Sequence, residues 1–124
     1  MSDHLSLSKR FPIYHATHML SVAVEEAVRR FSRYHKYTLG SDLRRLSARC
    51  HSAVSHAILR PERRLKMVVR ASYWADEIKF TLQRAKDCHA FARFAVFEQL
   101  AAAIVDVIRQ LTRWHDKLQR HGQN

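Results

Sequence analysis

The chain has 124 residues and 47% of them are hydrophobic, enough for one domain's core, which excludes a disordered chain. Two glycines and two prolines exclude collagen-like, low-complexity and turn-dense β architectures. Lys and Arg outnumber Asp and Glu 22 to 11, and the resulting +11 points to nucleic acid, an anionic membrane or an acidic partner.

Residues 1–11 lack the apolar run of a secretory signal and are expected to be disordered. Pro12 suits the first turn of a helix, where its missing N–H is no loss, and a helix is predicted over 12–34. Ile13, Thr17, Leu20, Val24, Ala27, Phe31 and Tyr34 alternate spacings of four and three and form its inner seam. Gly40 is expected at positive φ, closing that helix end. Ser41 and Asp42 are good N-caps for a second helix over 41–59, with Leu43, Leu46, Cys50, Val54 and Ala57 inside. Pro61 ends it, because the residue before proline avoids the α region. A third helix is predicted over 61–87, with Leu65, Val68, Ser72, Ala75, Ile78 and Leu82 inward. A fourth covers 90–120, its seam being Phe94, Phe97, Ala101, Ile104, Ile108, Leu111, His115 and Leu118, and 121–124 form a tail.

Four amphipathic helices with short connections predict an all-α, up-down-up-down antiparallel four-helix bundle. The fourth helix carries a second apolar stripe of Val96, Leu100, Ala103, Val107 and Trp114. Monomers rarely expose a long apolar stripe ending in tryptophan, so Val96, Leu100, Val107 and Trp114 are expected at the interface of a homo-oligomer. Cys50 and Cys88 are too few to staple a scaffold and are expected as reduced thiols of a cytoplasmic protein. No run of about 18 apolar residues is present to span a membrane, and none is expected as a partner.

The cations are mostly arginine, 16 against 6 lysines, which suits forked phosphate recognition. On the second predicted helix Arg45, Arg49, His56 and Arg60 fall within about 60° of one another at 100° per residue. On the third, Arg63, Lys66, Arg70 and Arg84 share a face interrupted by Glu77, and Tyr73 borders it as a possible stacking surface. Charged rows must face solvent somewhere, but the second helix holds a single carboxylate, Asp42. The missing acidic partners favour a phosphate-binding surface of Arg45, Arg49, Arg60, Arg63, Lys66, Arg70, Tyr73 and Arg84.

Catalytic signals are weak. His15 and His18 sit three apart on one helix, but no third metal ligand is obvious nearby, so no metal is expected. Cys50–His51 and Cys88–His89 are adjacent, so their side chains diverge on a helix. Arg84 with His89, and Arg30 with His35, match the spacing of all-helical HEPN-type ribonucleases. A chain this rich in both residues meets that spacing by chance, and Ala85 or Phe31 stands where that family carries a polar residue. No Gly-rich phosphate loop, nucleophile elbow or paired-carboxylate motif is present. The expectation is a non-enzyme without cofactor or small-molecule substrate.

One segment is more specific. Lys36-Tyr37-Thr38-Leu39-Gly40-Ser41-Asp42-Leu43-Arg44 places a basic residue and Tyr-Thr-Leu-Gly in the first interhelical loop of a small basic four-helix protein. It resembles the accessory variability determinant family of diversity-generating retroelements, and the related four-helix proteins encoded in ribosomal RNA intervening sequences. Val107-Ile108-Arg109-Gln110-Leu111-Thr112-Arg113-Trp114 is similar to that family's closing Gly-Gly-Trp motif, with Thr112-Arg113 in place of the glycines and Trp114 kept. The resemblance implies a four-helix bundle assembled into a homopentameric ring. It also implies no enzymatic activity of its own, binding to RNA and DNA, and association with a reverse transcriptase during mutagenic copying of a template RNA. The intervening-sequence relatives and a HEPN-like ribonuclease remain alternative readings.

Overall fold

Pro12 separates two helices at the start of the computed structural model, which describes residues 2–122. The expected disordered leader is instead a helix, α1 (Ser2–Arg10), with Asp3 in its first turn and Lys9 and Arg10 in its last, as the helix dipole favours. Leu7 packs on the core, and a hydrogen bond of 2.7 Å joins the His4 ring to the Tyr14 hydroxyl. These anchors hold α1 although its apolar pattern is sparse. Phe11 is extended, as a residue before proline prefers, and α2 (Pro12–Arg29) follows.

The predicted first helix stops short of residue 34. The N–H groups of Arg30 and Phe31 donate back to the Ala27 and Val28 carbonyls, Ser32 is extended, and a single turn, α3 (Arg33–Lys36), comes next. Phe31 is buried, but Tyr34, the next member of the expected seam, is 84% exposed. The chain reverses here so that α4 (Leu39–Leu59) can lie against α2. Helix α4 begins two residues before the expected caps, and the Thr38 hydroxyl donates backwards to the Tyr34 and His35 carbonyls instead of capping it. Gly40 does not adopt positive φ. A Cβ on it would stand 2.7 Å from Val28 Cγ1, so glycine is required for the close approach of α4 to α2.

Leu43, Leu46, Cys50, Val54 and Ala57 are all buried, as their spacing predicts. Burial pushes the Cys50 thiol up to about 12, and its Sγ lies 3.6 Å from the Ala71 carbonyl, so it behaves as a small core side chain. Helix α4 ends before Pro61, and a 3-10 turn (Pro61–Arg63) leads into α5 (Arg64–Asp87). Arg64 folds back over the turn, its Nε donating to Ala57 O at 2.8 Å and its Nη2 to Ile58 O at 3.0 Å. It thereby satisfies two carbonyls that the helix end leaves open.

Helix α5 buries Val68, Ala75, Ile78 and Leu82 as expected, together with Met67, Ala71, Thr81 and Ala85. Leu65 is exposed and Ser72 only half-buried, because the row that meets α4 runs through Met67 and Ala71 instead. After α5, His89 takes a left-handed φ of 59°. The N–H of Ala90 reaches Ala85 O and that of His89 reaches Lys86 O, the paired bonds of a Schellman cap. Buried Ala90 and the Phe91 ring, 5.1 Å from Phe31 and 5.7 Å from Phe97, pin this connection to the core.

The last helix, α6 (Phe94–Gly122), starts four residues later than predicted and continues into the expected tail; Gln123 and Asn124 of that tail lie outside the described residues. Its buried row is Leu100, Ile104, Val107 and Leu111. This corrects two expectations. Leu100 and Val107, assigned to an oligomer contact, are 1% and 0% exposed inside the bundle, and Val96 and Trp114 pack half-buried against it. Phe94, assigned to the seam, is 60% exposed, while Phe97, Ala101, Ile108, His115 and Leu118 are only half-buried. The two stripes are neighbours on the helix, centred roughly 80° apart at 100° per residue, and the buried row takes Ile104 and Leu111 from the first and Leu100 and Val107 from the second, so the face that is buried lies between them. Helix α4 packs on α2 and α5, and α6 packs on α5 and α2, giving an all-helical bundle without strands among the described residues.

Candidate nucleic-acid interface

The short Pro61–Arg63 turn keeps α4 and α5 side by side, and their outward rows meet along a groove. The Arg63 N–H donates to Arg60 O at 2.9 Å, which sets these two arginines at one end. A cavity of 390 Å³ lies between His56, Arg60, Arg63, Met67 and Arg70. A second, of 250 Å³, is lined by Arg49, Ser52, Ala53, His56, Met67, Arg70 and Trp74. The two share His56, Met67 and Arg70, so they are parts of one groove. At its far end the Arg49 guanidinium carbon stands 5.0 Å from the Trp74 ring centroid. Tyr73 is exposed beside it, its ring edge-on to Trp74 at 5.0 Å.

No carboxylate lines this groove, and Arg49, Arg60, Arg63 and Arg70 form no ion pair among the described residues. Elsewhere on the molecule four arginines meet a carboxylate, whereas Arg10, Arg30, Arg33, Arg84, Arg93, Arg113 and Arg120 also form no ion pair among the described residues. Arg29 faces Glu26, Arg45 faces Asp42 at 3.1 Å and Arg109 faces Asp106. Arg44 Nε sits 3.2 Å from Glu25 Oε2 but without hydrogen-bond alignment, so it is an ion contact only. Unmatched guanidinium groups around a concave floor are what a phosphate chain requires.

Of the eight expected binding residues, the groove therefore gathers Arg49, Arg60, Arg63 and Arg70. Tyr73 borders it, and Lys66 lies exposed one turn from both Arg63 and Arg70. Arg45 is engaged by Asp42. Arg84 lies roughly 20 Å further along α5 at 1.5 Å per residue, bonded to Thr81 Oγ1. Met67 and Trp74 had no place in the expected set, although Trp74 follows Arg70 by four residues and so shares its face. In the loop motif, Tyr37 and Thr38 are exposed, Leu39 packs on the core and Gly40 is buried, so half of the motif shapes the α2–α4 contact.

A second group of basic side chains differs in kind. His4 of α1, His18 of α2 and His51 of α4 converge, with ring centroids 4.6 Å apart for His4–His18 and 5.7 Å for His18–His51. Buried Thr17 lies 2.9 Å from His51 Nδ1 and also 3.0 Å from the Ile13 carbonyl. A hydroxyl has one proton, so where Thr17 donates to Ile13 O its oxygen is left to accept from the Nδ1–H of His51. Burial, then His18, then His4 lower the His51 pKa; burial, then His4, then His15 lower that of His18. Among the described residues no group of three or more His, Cys, Asp or Glu is placed to hold a metal ion.

No helix of the described residues is long and apolar enough to cross a membrane. No protein-family model matches the chain, and no curated protein matches it.

Proposed function

We propose that the chain is a non-catalytic accessory protein of a diversity-generating retroelement. In this reading it binds template RNA and cDNA along the α4–α5 groove and holds them for a reverse transcriptase. The observation that carries the reading is the carboxylate-free groove with Arg49, Arg60, Arg63 and Arg70 at its rim. The Tyr-Thr-Leu-Gly loop and Trp114 supply the link to the retroelement family. The four long helices run up-down-up-down, and the protein assembles as a homo-oligomer, a pentamer on the family pattern. Because Leu100 and Val107 are spent on the core, the contacts between copies use apolar side chains that stay exposed, among them Leu65, Val69, Phe80, Phe94 and Val105.

Phosphate contacts read charge and carry no sequence information, so binding is strong at low salt and largely indifferent to sequence. Anisotropy of labelled RNA and DNA across a salt series tests this. Four guanidinium contacts give a slope of log K against log salt of about −3 on single strands. Absence of binding at low salt overturns the reading. Cleavage of the RNA that is lost on His89→Ala or His35→Ala replaces it with a ribonuclease. Light scattering should give several times the 14.6 kDa chain mass, and a monomer at micromolar concentration removes the assembly.

A further inference from the structure

The groove floor distinguishes between kinds of nucleic acid. Its rim is cationic, but Met67, Ala53 and the Trp74 ring line its interior beside Ser52 and His56, with Tyr73 exposed at the mouth. The thioether, methyl and indole parts of that lining contribute nothing to phosphate binding. Arg49 lies over Trp74, and a guanidinium plane set on an indole is itself a surface on which a base can stack. In a duplex the bases are already stacked and paired, so a duplex meets the rim arginines with its phosphates and leaves the floor empty. An unpaired strand can follow the rim with its backbone and turn its bases inward onto Trp74, Arg49 and Tyr73.

We infer that the α4–α5 groove is a single-strand site: it prefers unpaired nucleic acid, with Trp74, Arg49 and Tyr73 as the stacking platform. This rests on the nucleic-acid reading above and narrows its ligand. Two adjoining cavities of 390 and 250 Å³ give the bases a place to enter, and cations on both sides of the groove carry the backbone past them. Stacking is tolerant of sequence, because every base has a π face, so the preference is for strandedness.

The probe is a labelled mixed-sequence RNA of roughly 12 nucleotides, in the range of small single-strand sites, compared with the duplex it forms with its complement. The single strand should bind roughly 10-fold tighter, although the duplex carries twice as many phosphates. Tyr73→Ala, at an exposed position, and Trp74→Leu should each weaken single-strand binding several-fold and leave duplex binding unchanged. Trp74→Phe should restore most of the loss, which separates stacking from a folding defect. In a Trp114→Phe background, Trp74 emission should be quenched by the single strand and not by the duplex.

Equal affinity for the two forms, or a Trp74→Leu effect of the same size on both, overturns the single-strand inference and leaves the nucleic-acid reading standing. Binding of polyglutamate as tightly as the RNA overturns it too, since charge alone would then account for the groove. Absence of all binding at low salt removes both.

Discussion

The groove between α4 and α5 and the histidine cluster among α1, α2 and α4 both concentrate potentially positive side chains, and they solve the resulting problem in opposite ways. Around the groove Arg49, Arg60, Arg63 and Arg70 carry guanidiniums, which cannot give up their proton, and the fold leaves them exposed and without ion pairs among the described residues, beside the one imidazole of His56. In the cluster the groups are imidazoles, which can, and the fold packs them ring to ring with hydroxyl partners. Around the groove charge is retained at the surface, whereas in the cluster burial and neighbouring imidazoles lower the pKa values of His18 and His51. On the proposed reading the first region is a surface for a partner, and the second is part of what holds three helices together.

Reversing the charge of the groove should give the largest effect. Arg60→Glu, Arg63→Glu and Arg70→Glu combined should lower affinity for single-stranded RNA at least about 100-fold and reduce the magnitude of the salt slope by about 2. Helical circular dichroism and the melting temperature should hold, because none of the three side chains makes an ion pair among the described residues. Equal replacement of the matched Arg29, Arg45 and Arg109 is the control. If it weakens binding as much, net charge and not the groove is responsible.

The α2–α4 seam that carries Thr17 and His51 is closed at its other end by Gly40. Valine there brings Cβ to 2.7 Å from Val28 Cγ1, and Val28 is fully buried and stiff. Gly40→Val should cost about 2 kcal/mol or more as overpacking, read as a lower melting temperature. Gly40→Ala should cost less, since alanine's helix propensity offsets part of the clash by up to about 1 kcal/mol.

Much of this was legible in the sequence. The inner face of α4 follows from Leu43, Leu46, Cys50, Val54 and Ala57, because only one apolar stripe is available there. Helix α6 defeats the same method, since Phe94–Phe97–Ala101 and Val96–Leu100–Ala103 are both apolar and the choice depends on what α2 and α5 present. The arginine row on α4 and the Arg63–Arg70 row on α5 could be read from 3.6-residue periodicity. That Trp74 sits under Arg49 could not, because it depends on the axial register of one helix against another. The histidine cluster was equally hidden: His4, His18 and His51 come from three helices, and the first of these was expected to be disordered.

A smaller effect should follow from acid. His18 and His51 have folded-state pKa values below the ordinary histidine value of about 6.5, so the folded protein binds protons more weakly than the unfolded chain. Their contribution to stability is intact above pH 6.5 and is lost as the pH falls from there through the lowered folded values. Melts between pH 7.5 and 5 should show this decline, and His51→Gln should flatten it. Glu25 and Arg44 line the cavity on the outer side of His51 and partly offset one another, so they do not reverse the sign. A melting temperature that rises on acidification would mean that the cluster is held in its charged form.

The smallest effect should come from His89, which belongs to neither region. Its φ of 59° is the left-handed conformation that a Schellman cap requires at this position, and an L side chain adopts it at a cost of roughly 1 kcal/mol. Glycine carries no such cost, though it has more freedom to lose on folding. His89→Gly keeps the Ala90–Ala85 and His89–Lys86 backbone bonds, and the exposed imidazole has no hydrogen-bond partner among the described residues to forfeit. The variant should therefore gain about 0.5 to 1 kcal/mol, raising the melting temperature by a few degrees. RNA affinity should stay unchanged, since the groove lies at the other end of α5. Should His89→Gly instead weaken RNA binding, the cation-bearing surface would extend the length of α5 to Arg84, well beyond the groove.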